Sequence, residues 1–199
     1  MARSGHQGSR PGQRPGLRLG IDLDGVVADF TTGWVTAYNQ AFRAQVDPTD
    51  VRTWKAMVEL THFETASDFW RWARFGSGPS LFRSLDPYPG AIDTLHALAR
   101  RHHVVIITSK PDWAVHDTLA WIAEHRLPTR EIHVLSEKWR VTCDVYLEDR
   151  THTLGELVIH HPSATVCRFA RPWNGPMRGT VTVSSWPEFQ ELVESLPGR

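Results

Sequence analysis

The chain has 199 residues, enough for one domain with a small insertion and a substantial core. Its 22 Lys and Arg balance 22 Asp and Glu, which excludes a general electrostatic pull toward nucleic acid or an anionic membrane and leaves any anion binding to a local site. Two distant cysteines, Cys143 and Cys167, exclude a disulfide framework or a zinc knuckle; no apolar run approaches the roughly 18 residues of a membrane span and no signal-peptide core opens the chain, so a cytoplasmic protein is expected.

Residues 1–16 contain four Gly, two Pro and three Arg but no large aliphatic residue after Met1, the composition of a disordered tail. Leu17, Leu19, Ile21 and Leu23 then alternate toward one face and run into Asp22-Leu-Asp-Gly, which predicts a strand entering a loop. Residues 30–88 hold six of the eight Phe, four of the nine Trp and two of the three Tyr, with patchy helical periodicity. That stretch is expected to be a small helical cap, inserted into an α/β core made of residues 17–29 and 89–199.

Pro89-Gly90 opens a helix whose Ile92, Leu95, Leu98 and Ala99 recur at helical spacing, and a β-branched strand follows over His102–Ile107. The rhythm continues with a helix near Asp112–His125, carried by Val115, Leu119 and Ile122, and strands near Glu131–Leu135 and Asp144–Leu147. Further strands are predicted at Thr165–Phe169 and Thr180–Val183, and Ser185-Trp-Pro-Glu188 is a capping box opening a last helix. Strands alternating with helices imply a parallel sheet.

In such a sheet, ligands bind beyond the carboxyl ends of the strands. Those positions hold Asp22 and Asp24, then Thr108 and Ser109, then Lys138, then Glu148 and Asp149. Carboxylates converging on one point repel one another unless a hard divalent cation gathers them, so the set implies magnesium, with Lys138 adding positive charge. One carboxylate can then attack as a nucleophile while a second, two residues on, reaches the leaving-group oxygen.

These residues carry a family resemblance. Asp22-Leu-Asp-Gly-Val-Val-Ala-Asp-Phe30 resembles the first motif of phosphatases of the haloacid dehalogenase (HAD) superfamily and is similar to that of the 5'(3')-deoxyribonucleotidase family. Val104-Val-Ile-Ile-Thr108-Ser-Lys-Pro111 resembles the second motif, Lys138 falls where the third-motif lysine belongs, and Val145-Tyr-Leu-Glu148-Asp149-Arg150 resembles the acidic fourth, although Glu148 stands where an Asp is commonest. The resemblance implies a Rossmann-like HAD core with a small helical cap after the first motif, and a magnesium-dependent phosphomonoesterase acting through an aspartyl-phosphate.

By the same resemblance Asp22 is the nucleophile and Asp24 the acid and then the base, while Thr108 and Lys138 hold phosphoryl oxygens. The Asp22 carboxylate, the Asp24 backbone carbonyl, Glu148 and Asp149 bind magnesium. An acid two residues after the nucleophile favours ester hydrolysis over dehalogenation. Phe30 and Trp54 are expected to stack on a substrate base and Ser109 to contact substrate, whereas Trp34, Phe69, Trp70 and Trp72 are assigned to cap packing. The substrate is accordingly a small phosphate monoester, a 5'-nucleotide foremost. A different phosphorylated metabolite and a non-catalytic nucleotide-binding module are the alternative readings.

Overall fold

The computed structural model describes residues 16–75 and 79–197; the tail expected over residues 1–16 lies, apart from Gly16, outside the described residues. Six strands form one parallel sheet: β1 (Arg18–Ile21), β2 (His103–Thr108), β3 (Glu131–Val134), β4 (Val145–Glu148), β5 (Thr165–Phe169) and β6 (Val181–Val183). Their order is β3-β2-β1-β4-β5-β6. The chain winds from β1 to β3 on one side and from β4 to β6 on the other, so the connections diverge at the carboxyl ends of β1 and β4. Helices α1 (Phe30–Phe42), α2 (Ala56–Glu59) and α3 (Ala66–Phe75) form an inserted cap between β1 and β2, and α4 (Ala91–Leu98), α5 (Val115–Glu124), α6 (Thr151–His160) and α7 (Trp186–Ser195) flank the sheet.

Strand alternation divides the core into two. Val104 and Ile106 of β2 pack with Leu95 and Leu98 of α4, Trp121 of α5 and Phe189 and Val193 of α7. Val105 and Ile107, one residue out of phase, join Leu154 and Leu157 of α6 on the opposite face. Both faces of the central strands are covered, as expected of a parallel sheet. The first cluster continues into the cap through Phe30, Trp34 and Phe69, so the insertion rests on the sheet's own apolar surface.

The chain enters and leaves the cap through one narrow neck. Asp29 donates its backbone N–H to Asp86 O at 2.8 Å, Tyr88 N–H donates to Val27 O at 2.8 Å, and Ala28 bridges Pro87. Asp29 also caps α1, its Oδ1 accepting the Thr32 N–H at 3.0 Å.

Two local features depart from the sequence pattern. The turn Asp112–Ala114 is 3-10 helical and shifts the phase of α5, so the buried line runs through Ala114, Thr118, Trp121 and Ile122 while Leu119 is 43% exposed. Helix α6 escapes a periodicity reading because Gly155 and two histidines dilute it and Ile159 points outward; Thr153, Leu154 and Leu157 alone carry its buried stripe.

Tyr146 on β4 ties down the turn that follows Lys138: its hydroxyl donates to Val141 O at 2.6 Å and accepts the Cys143 N–H at 2.8 Å. Tyr146→Phe leaves that buried N–H unsatisfied, and urea unfolding should show a loss of about 1 to 3 kcal/mol.

Candidate active site

Asp22 lies immediately beyond β1 and Glu148 ends β4, in strands that pair through Ile21 and Leu147. Register alone therefore brings these acids together, and Asp149 follows Glu148 into the same crevice. One carboxylate oxygen from each of Asp22, Glu148 and Asp149 lies within 4.8 Å of the others, and all three residues are buried. Two like charges at that distance repel by about 3 to 4 kcal/mol at an effective dielectric of about 20. Burial, reinforced by the Asp22 charge, lifts the Glu148 carboxyl well above its ordinary range and the Asp149 carboxyl to about 7.

Lys138 is the cation set against this charge. Its Nζ lies 2.7 Å from Asp22 Oδ2 and 2.7 Å from Glu148 Oε2. Burial alone would disfavour its ammonium, but Asp22 and Glu148 outweigh that and raise its pKa above the usual lysine value. Backbone donors restrain the remaining oxygens: Leu23 N–H donates to Asp22 Oδ1 at 2.7 Å, and the N–H groups of Asp149 and Arg150 donate to Glu148 Oε1 at 3.1 and 2.9 Å. The donor set is anionic, all oxygen and undercompensated by one lysine, so the cluster can coordinate a hard divalent cation.

Asp24 stands apart from that cluster. Its Oδ2 is ion-paired with Lys110 Nζ, and its Oδ1 is buried with no hydrogen-bond partner among the described residues. Burial raises the Asp24 carboxyl and lowers the Lys110 ammonium, each opposed by the charge of the other. Thr108, fully buried at the end of β2, likewise has no partner for its Oγ1 among the described residues. Ser109 Oγ donates to Leu135 O at 3.0 Å.

The loop after β5 braces the acidic cluster from behind. Trp173 Nε1 donates to Asp149 Oδ2 at 2.7 Å, and Asn174 Nδ2 donates to Asp149 O at 2.6 Å and to Phe169 O at 3.0 Å. Arg171 donates from Nε to Gly25 O at 2.6 Å, with its guanidinium over the Tyr88 and Phe169 rings. Gly25 is required at that turn: its φ is +77°, and a Cβ there would lie 2.2 Å from Asp149 Oδ2.

A cavity of about 310 Å³ opens above these groups. Asp22, Asp24, Lys138, Asp149 and Ser109 line its floor, with Phe30 and Trp54 on its walls; Glu148, paired with Lys138, and Thr108, next to Ser109 in the chain, are buried and do not line it. The expected site residues therefore gather at one place. Trp70, assigned to packing from the sequence, also lines the cavity, as do Met57, Phe82 and Arg150. Phe30 stacks on Trp70 and Phe82 with centroids 5.9 and 5.8 Å apart, and Trp54, 41% exposed, bridges Phe30 to Trp173. Helical spacing does not separate such wall residues from core. Lys110 did carry a signal, as one of only three lysines and a neighbour of Thr108-Ser109.

Comparison with known proteins agrees with this geometry. A protein of Chlorobaculum tepidum, provisionally named a 5'(3')-deoxyribonucleotidase, is 28% identical over 185 residues, covering 88% of this chain and 89% of that protein. The fold is shared with a "predicted phosphatase" from Clostridium acetobutylicum (TM-score 0.61, 16% identity, 91% of this chain and 100% of that one). It is shared too with a Bacillus subtilis HAD hydrolase bound to magnesium (TM-score 0.60, 12% identity, 90% of this chain and 99% of that one). The family model described as "5' nucleotidase, deoxy (Pyrimidine), cytosolic type C protein" matches residues 16–196, and the chain belongs to that family, within the HAD hydrolase fold.

Proposed function

We propose that this protein is a magnesium-dependent phosphomonoesterase that removes the phosphate of 5'-nucleotides, the deoxy series foremost, through an aspartyl-phosphate on Asp22. The observation that carries this reading is one cavity whose floor holds the Asp22 carboxylate and acidic cluster and whose walls are aromatic. A phosphate at the floor leaves a planar base to lie against Phe30, Trp54 and Trp70. The C. tepidum relative's name points the same way. Because Trp54 lines the cavity, the nucleotide is favoured over a sugar phosphate.

In this mechanism Asp22 attacks phosphorus, held by the Leu23 N–H and by Lys138. The ester P–O bond breaks, and Asp24 gives its proton to the leaving oxygen. Asp24 then takes a proton from water, whose oxygen attacks the aspartyl-phosphate, releasing inorganic phosphate and restoring Asp22. Lys138 and the Thr108 hydroxyl, which has no partner among the described residues, hold phosphoryl oxygens. Asp22, Glu148, Asp149 and the Asp24 backbone carbonyl would hold magnesium, which offsets the charge between carboxylate and phosphate. Ser109 positions the substrate from the cavity edge.

Phosphate release is to be measured from a panel of nucleoside monophosphates and sugar phosphates, with magnesium and with chelator. Magnesium-dependent release confined to nucleotides is expected, with Asp22→Asn reduced to background at an unchanged melting temperature; near-normal turnover by that variant would overturn the mechanism. Sugar-phosphate preference would replace the substrate, and no release from any ester would favour a binding module. Trp54→Ala should weaken nucleotide binding by about 1 to 3 kcal/mol, read as KM, while leaving p-nitrophenyl phosphate hydrolysis unchanged. Trp173→Phe removes the donor to Asp149 Oδ2, and calorimetric titration should show magnesium affinity lowered about 10- to 100-fold.

A further inference from the structure

An acid that protonates a leaving oxygen and then deprotonates water must keep one carboxylate oxygen directed into the site through both steps. The terminal torsion of an aspartate is broad and roughly two-fold, so an untethered carboxylate does not hold that direction. In Asp24 the two oxygens are unlike: Oδ2 is taken by Lys110 Nζ, and Oδ1 is buried without a partner among the described residues, in a residue lining the cavity beside Asp22.

Lys110 is itself confined. Its side chain is 2% exposed, and its Nζ lies 3.8 Å from the centroid of the Phe82 ring, a cation–π distance. Phe82 in turn stacks on Phe30 and Trp70, at 5.8 and 6.0 Å, within the aromatic wall. The ammonium is thus held between a carboxylate from the loop after β1 and a ring from the cap's returning segment. A buried ammonium is unfavourable unless paired, so its partner is strongly specified.

We propose that Lys110 is the positioning residue of Asp24: by holding Oδ2 it keeps Oδ1 turned toward the leaving-group oxygen. The assignment rests on the phosphomonoesterase reading above. In the first step the proton on Oδ1 passes to the leaving oxygen, which keeps the electron pair of the broken P–O bond. In the second step Oδ1 takes a proton from water as the water oxygen bonds to phosphorus and the bond from phosphorus to Asp22 breaks. Lys110 keeps its own protons throughout.

The test is the dependence of kcat/KM on leaving-group pKa, across aryl phosphates from p-nitrophenyl to unsubstituted phenyl and on to a nucleoside 5'-monophosphate. Poor leaving groups need the proton and good ones do not. Lys110→Met is expected to lose at least about tenfold more activity toward the nucleotide than toward p-nitrophenyl phosphate, giving a steeper dependence. Lys110→Arg, which keeps the charge, should recover most of the wild-type slope. Lys110→Gln is measured alongside, so the slope is read even where the Met variant does not fold. A uniform loss across the series, slope unchanged, means a structural ion pair and overturns the assignment. Wild-type protein that hydrolyses no ester overturns the phosphomonoesterase reading itself, whereas wild-type turnover with equal slopes overturns only the role of Lys110.

Discussion

Three buried carboxylates whose oxygens lie within 4.8 Å of one another set the terms for everything around them. Left alone, Asp22, Glu148 and Asp149 would be driven apart or protonated: burial first, and then the charge of Asp22, raises the Glu148 and Asp149 carboxyls. The fold holds them by several independent restraints: the pairing of β1 with β4, the Lys138 ammonium between Asp22 and Glu148, three backbone N–H donors, and the Trp173 indole on Asp149. These restraints come from β1, β4, the turn at Lys138 and the loop after β5, so the acidic cluster exists only once those segments have packed together. Negative charge concentrated at one point is also what makes the site receptive to a divalent cation.

The cap adds a second layer of constraint. It joins the core at one neck, Ala28 and Asp29 against Asp86 and Pro87, yet its aromatic residues share the core's main hydrophobic cluster. The wall of Phe30, Trp70 and Phe82 therefore does two things at once: it closes the cavity, and through Phe82 it covers the lysine paired with Asp24. The side chains that line the cavity and those that confine the lysine beside Asp24 are consequently the same.

Much of the architecture could be read in chain order because each strand announces itself. Apolar, β-branched runs end abruptly in polar residues, and a parallel sheet collects all such ends on one edge. That is why Asp22, Thr108 and Glu148 could be grouped before any coordinates, and why the strand at Thr165–Phe169 has the predicted limits. Helix α6 and the exposed Leu119 were illegible for a common reason: a weak apolar stripe and a 3-10 turn both blur the 3.6-residue period on which the reading depends.

The sequence by itself determined the α/β class, the acidic residues at the strand ends, the position of the cap and the aromatic character of that cap, since these depend on local composition and period. Only the tertiary structure decided which aromatics face the cavity and which the core, that Lys110 pairs with Asp24 while Lys138 bridges Asp22 and Glu148, and that the loop from Arg171 to Asn174 braces Asp149. The physical reason is range. Strand and helix signals are written within a few residues, whereas these pairings join groups separated by 10 to 146 residues, and only the packed sheet brings them within hydrogen-bonding distance.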